Sequence, residues 1–259
     1  TEKMPGTRGV SIGFWVGVGS RDEAPGMLGS THFLEHLLFK GTGTRTALDI
    51  ASSFDAVGGE SNALTAKEHT CYYARVLDDD APMAVDVITD MVTNALLDPA
   101  HLEQERGVIL EEIAMDQDDP TDVAFENFVE QLMGENPLGR PIGGTPQEIT
   151  EVPRDAVWEH YRRTYASDTL VVAAAGAVDH DEVCERVLAD LAAAGWDASP
   201  DAVPRERRFE IEPFVALDVH DITVPRESEQ TPLYLTCQGI AVRDERRWAL
   251  GVPTTILGL

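Results

Sequence analysis

The stretch Gly29-Ser-Thr-His32-Phe-Leu-Glu35-His36-Leu-Leu-Phe-Lys-Gly41 decides how this chain is read. It has no proline, few β-branched residues and a glycine at each end, so it predicts one helix. His32 and His36 are four apart and lie on one face, one turn above the other. Glu35, three after His32, stands at the edge of that face. Phe33, Leu34, Leu37, Leu38 and Phe39 are apolar on every side, which predicts a helix inside the protein. Two imidazoles and a carboxylate are costly to bury without partners. A zinc ion would supply one, because histidines at i and i+4 can both direct a ring nitrogen at an ion about 2 Å away. The glutamate beside them can reach a water at the metal as general base. His-x-x-Glu-His is the inverse of the His-Glu-x-x-His zinc helix. Chance yields it about 0.02 times in a chain of this length and composition, which makes a merely satisfied pair of core histidines the weaker reading.

Catalytic zinc takes three protein ligands and keeps a position open. The third is sought in Asp98-Pro-Ala-His-Leu-Glu-Gln-Glu-Arg-Gly-Val-Ile-Leu-Glu-Glu-Ile-Ala-Met115. Asp98 followed by Pro99 is a helix start. On a helical wheel Leu102, Ile109 and Ile113 form the apolar stripe. Glu105 and Glu112, seven apart, fall on the flank of that stripe, whereas Glu111 falls on the polar side with Gln104. Glu112 therefore faces inward and Glu111 faces water. A salt bridge from Glu112 to Arg106, or to an arginine elsewhere, is the alternative use of that carboxylate.

In these motifs the chain resembles the metallopeptidase family of pitrilysin, insulin-degrading enzyme and mitochondrial processing peptidase, above all its bacterial members akin to the processing-peptidase β subunit. The stretch Gly58-Gly-Glu-Ser-Asn62-Ala63-Leu-Thr-Ala-Lys-Glu-His-Thr-Cys-Tyr72-Tyr73 is similar to the family's edge strand. The resemblance implies an α+β fold, a mixed and largely antiparallel sheet covered by helices, followed by the start of a second, similar domain. It implies zinc, one ion per chain, held by His32, His36 and Glu112. Glu35 would be the catalytic base and Glu105 would support catalysis from behind the ligands. Asn62 and Ala63 would grip a substrate backbone, with Phe39 as a further substrate contact. The implied activity is endopeptidase cleavage of unfolded peptides or protein segments. The implied partner is a C-terminal half or homologous subunit, in a homo- or heterodimer, that closes a chamber and brings an arginine and a tyrosine; nothing in this sequence matches that pair. Some relatives are non-catalytic subunits, which is the rival reading.

Composition narrows the classes. The 259 residues carry 46 acidic against 20 basic side chains, a net charge of −26. Nucleic-acid binding calls for basic patches and is not expected; cationic peptides suit the charge better. Lys3, Lys40 and Lys67 are the only lysines. Cys71, Cys184 and Cys237 are far apart and form no C-x-x-C pair, which predicts reduced thiols, no thiolate zinc site and a cytoplasmic setting. No apolar run is long enough to span a membrane.

Along the chain, period-two alternation of Val10, Ile12, Phe14, Val16 and Val18 predicts a strand over 8–20. Helical spacing follows over 46–57, and strands over 61–67 and 69–77. Helices are expected over 81–96, 99–117 and 121–133. Three prolines make 134–150 a loop, and its Gly143-Gly144-Thr145 lacks the lysine of a phosphate loop. A helix over 154–165, a buried strand over 168–178 and a helix over 181–194 complete a first domain at 1–198. His69, His101, His160, His180 and His220 are given no role. Pro, Arg, Glu and Asp mark 199–213 as a linker. Residues 214–259 then begin a second domain with a strand over 231–239 and a helix from 243. The apolar end, Thr254-Thr-Ile-Leu-Gly-Leu259, reads as the interior of a longer protein.

Overall fold

The structure, a computed structural model, describes residues 1–134, 136–197, 199, 203–205, 221–227, 229–236, 240 and 244–256. In chain order the elements are β1 (Glu2–Lys3), β2 (Gly9–Val16), α1 (Ser30–Leu37), α2 (Ala47–Asp55), β3 (Glu60–Thr65), β4 (Thr70–Leu77), α3 (Ala81–Asn94), α4 (Pro99–Asp118), α5 (Pro120–Met133), α6 (Pro146–Glu151), α7 (Arg154–Thr164), β5 (Leu170–Gly176), α8 (His180–Ala193) and α9 (Arg247–Ile256). The strands form one sheet in the order β1-β5-β2-β4-β3. Only the β1–β5 pair is parallel. The expected α+β architecture, with a mixed and largely antiparallel sheet, is what the chain adopts.

The alternation in β2 works as read. Val10, Ile12, Phe14 and Val16 turn inward and are at most 2% exposed. They meet Phe33, Leu34 and Leu37 of α1 and Val85, Ile88, Met91 and Val92 of α3 in one core. Each such side chain contributes about 1.5–3 kcal/mol on burial. The opposite face of the sheet has no helix on it among the described residues. Trp15, Leu64 and Val171 are exposed there.

Three expectations within the first domain are corrected. The helix read over 29–41 is α-helical only to Leu37, and Leu38–Lys40 tightens into a 3-10 turn. The loop over 134–150 contains α6, whose Thr145 and Glu148 form a reciprocal capping box around Pro146 at the first helical position. The strand over 168–178 is shorter and only half buried, because its outer face lacks a covering layer. Beyond the first domain, 231–236 runs without regular structure and 237–239 lies outside the described residues. Most of the expected linker, His220 and Cys237 also lie outside them. The final helix occupies Arg247–Ile256; residue 243, where it was expected to begin, lies outside the described residues, and 244–246 are not helical.

Two bends place the helices that matter. Gly29, at φ +85°, turns the chain into α1 in the left-handed region that favours glycine. Buried Leu97, at φ +47°, turns α3 into α4. Arg154 Nε holds the bend by donating to the Leu97 carbonyl at 3.0 Å.

Candidate metal centre

The first turn of α1 needs acceptors for its free N–H groups, and Gly29 has no side chain to offer. Glu23 supplies them from upstream. Its two carboxylate oxygens accept from Gly29 N at 2.8 Å and Thr31 N at 2.6 Å. Glu23 is 5% exposed. Burial pushes its pKa up to about 7, against the pull of the Thr31 and Gly29 bonds and of Arg140. Behind the helix, Thr31 Oγ1 meets Nε2 of fully buried His160 at 3.0 Å. Burial, and secondarily Arg163, lowers His160 to about 4. His160, given no role from sequence, is thus an anchor of α1.

From this fixed helix His32 and His36 project toward α4. Their Nε2 atoms stand 3.3 Å apart. One Glu112 oxygen lies 3.7 Å from His32 Nε2 and 3.5 Å from His36 Nε2. Donors held about 2 Å from a common tetrahedral centre stand roughly 3.3–3.4 Å apart, so these three fit a zinc ion in number, type and spacing. Burial, with the charge of His36 second, lowers His32 to about 4 despite Glu112. His32 is therefore neutral near pH 7 and keeps a lone pair for a metal. Glu111 is exposed, as the wheel predicts. Arg106 is not the partner of Glu112. It pairs with Glu103 and donates to the carbonyls of Ile149 and, at 3.0 Å, Val152. Its guanidinium also lies 5.5 Å from the Phe33 ring centroid, tying α4 and α6 to α1.

Glu105 is buried. Its Oε2 accepts from His36 Nδ1 at 3.0 Å, and its Oε1 pairs with Lys40 Nζ at 2.8 Å. Burial works to raise this carboxyl, but the bonds from Lys40 and His36 outweigh it and hold its pKa below the usual range. With the proton on Nδ1, His36 presents the lone pair of Nε2 to the space shared with His32 and Glu112. His32 Nδ1 is buried as well, next to Gly143, and finds no hydrogen-bond partner among the described residues.

Glu35 is half-buried on the same helix. Its charge reaches the phenols of Tyr72 and Tyr165, which bond each other at 2.9 Å and are held above their usual range chiefly by burial. Phe39 packs over Tyr72 with ring centroids 6.4 Å apart. Asn62 and Ala63 lie on β3, one of the two edge strands, which runs in contact with α1. Asn62 Oδ1 accepts from Ala63 N at 2.8 Å. Lys40, Glu23 and His160 were missed as site residues. Lys40 carried a local signal, standing four residues after His36 as one of three lysines in the chain. Glu23 and His160 carried none.

An α+β sheet domain with a His-x-x-Glu-His helix and a carboxylate brought in by a neighbouring helix has the donor types of a zinc site. Residues 1–146 match the insulinase family (peptidase family M16), and the chain belongs to that family. Over 258 residues it is 48% identical to an uncharacterized zinc protease of Streptomyces coelicolor, covering 100% of this chain and 56% of that protein. The fold is similar to that of a protease from Helicobacter pylori, with TM-score 0.70 and 21% identity over 78% of this chain and 48% of that one. It is also similar to a peptidase M16 inactive domain from Pseudomonas fluorescens, with TM-score 0.68 and 16% identity over 79% and 48% of the two chains. The chain spans little more than half the length of the curated relatives it matches. No described helix is long and apolar enough to cross a membrane.

Proposed function

We propose that this chain is the zinc-holding part of an endopeptidase that cleaves extended, unfolded peptide segments. The observation that carries the reading is the convergence of His32, His36 and Glu112 donors within 4.8 Å of one another, from two helices, the first of which also carries Glu35. One such donor set corresponds to one ion per chain. A zinc ion held there supplies Lewis acidity, polarising the scissile carbonyl and making water a stronger acid.

The chain's own residues do the rest. Glu35 takes the proton of the attacking water and hands it to the leaving amine. Glu105 keeps the proton of His36 on Nδ1 and the ring in one orientation. An extended peptide adds to the free edge of β3 and replaces the Asn62 side chain on the Ala63 N–H, so that recognition runs mainly through backbone bonds. Phe39, beside that edge, offers an apolar contact. A further half of the protein, or a homologous subunit, closes the cleft. The compartment proposed is the cytoplasm, in keeping with the unlinked thiols of Cys71 and Cys184.

The rival, a non-catalytic subunit, has no need of a complete donor set with a carboxylate beside it. Full-length protein and a quenched peptide substrate test the reading. Chelator should abolish cleavage and zinc restore it. Glu35→Gln should keep its zinc and lose about 10²–10⁴-fold in turnover. Unchanged turnover in that variant would remove Glu35 from the mechanism, and a purified protein without zinc would favour the rival.

A further inference from the structure

We infer that Lys40 is a positioning residue of the metal centre, acting on His36 through Glu105. The inference rests on the zinc reading above. The side chain of Glu105 is only 3% exposed, and a carboxylate buried that deeply needs a partner for each oxygen. The two oxygens are divided between two tasks. Oε2 faces His36 Nδ1 at 3.0 Å and Oε1 faces Lys40 Nζ at 2.8 Å. Both partners come from one continuous segment, since Lys40 ends the 3-10 turn that prolongs α1. The carboxylate comes from α4. A single side chain of α4 is therefore gripped at two points by the helix that carries the histidines.

The division of oxygens sets the direction of the carboxylate. With the ammonium on Oε1, Oε2 has one orientation open to it, along the Nδ1–H of His36. Without the ammonium, Oε1 is a buried charged oxygen with no donor, and the side chain gains by rotating toward water or another donor. His36 then loses the acceptor that fixes its proton and its ring. Carboxylates that bond a ligand histidine from behind typically contribute 10–100-fold to metal affinity, and Lys40 holds this one in place. A lysine suits the position because a compact ammonium satisfies one oxygen, whereas the planar fork of arginine is matched to two. In a chain whose 20 basic residues include three lysines, this site takes one of them.

The test measures zinc affinity, by competition with a chromogenic chelator, in full-length protein with a Lys40→Met, Lys40→Arg or Glu105→Gln substitution and in the Lys40→Met/Glu105→Gln double variant. Circular dichroism verifies that each is folded. Lys40→Met should bind zinc about 10-fold more weakly or worse, and Lys40→Arg should lose less. In the Glu105→Gln background Lys40→Met should cost nothing further, because the residue it acts through is gone. If Lys40→Met does not fold, Lys40→Gln takes its place under the same criteria. Affinity within twofold of wild type, or an equal loss in both backgrounds, overturns the role of Lys40. A wild-type protein that takes up no zinc overturns the proposed function instead.

Discussion

Two buried titratable groups anchor α1 from behind, and acidification should separate their effects. His160 is lowered to about 4 in the folded chain, against about 6.5 when unfolded. Between those values the unfolded chain binds more protons, so the contribution of neutral His160 to stability is full above about pH 6.5 and lost as pH falls toward 4. Glu23 runs the other way. Its pKa is raised to about 7 from 4.5, so the folded chain binds more protons between those values and stability rises as pH falls from 7 to 4.5. Each shift of about 2.5 pH units corresponds to about 3 kcal/mol. The two limbs overlap and largely cancel over pH 4.5–6.5. Urea unfolding from pH 4.5 to 7.5 should therefore give a fairly flat contribution from this pair in the wild type. His160→Asn should gain stability on acidification relative to wild type, by an amount approaching 3 kcal/mol, and Glu23→Gln should lose it. Parallel profiles for wild type and His160→Asn, or an NMR titration placing His160 near 6.5, would refute the reasoning.

Three further outcomes follow from the same geometry. Glu112→Gln should release most of the bound metal while Glu111→Gln keeps a full complement, as read by elemental analysis of the purified variants; the reverse would overturn the assignment of α4's inner face. Phe14→Ala should cost about 3–5 kcal/mol in denaturant unfolding, because Phe14 is fully buried at the centre of β2; a cost under 1 kcal/mol would mean the sheet and α3 close over the gap. Asn62→Leu should lower KM for a long peptide more than for a dipeptide-sized one, since it frees the Ala63 N–H and only the long one pairs along β3; equal changes would place the substrate elsewhere.

The parts of this molecule that depend on local pattern were legible in the residues. The spacing of His32, Glu35 and His36 and the seven-residue step from Glu105 to Glu112 are properties of single helices, and the wheel turned Glu111 outward correctly. The supports of the site were not legible, because they come from distant segments. His160 and Thr31 are 129 residues apart, and nothing near either one announces the pair. Glu23 caps a helix whose own cap position is a glycine, so the usual Ser, Thr, Asp or Asn signal is missing. Helix α6 did carry its signal in Thr145-Pro146 and Glu148, but three prolines within one stretch obscured it. The half-buried state of β5 could not be read from Leu170-Val-Val-Ala-Ala-Ala-Gly176, since a run of small apolar residues looks the same whether one or two layers cover it.

The bond from the Asn62 carboxamide to the Ala63 amide has a consequence for solubility. An outer strand with free amides is an invitation to any other extended chain, including a second copy of itself. Here the strand's own side chain keeps the Ala63 amide occupied, so a newcomer must offer enough contacts to displace it. Long ligands that engage several positions at once can meet that threshold, and brief collisions between neighbouring molecules cannot.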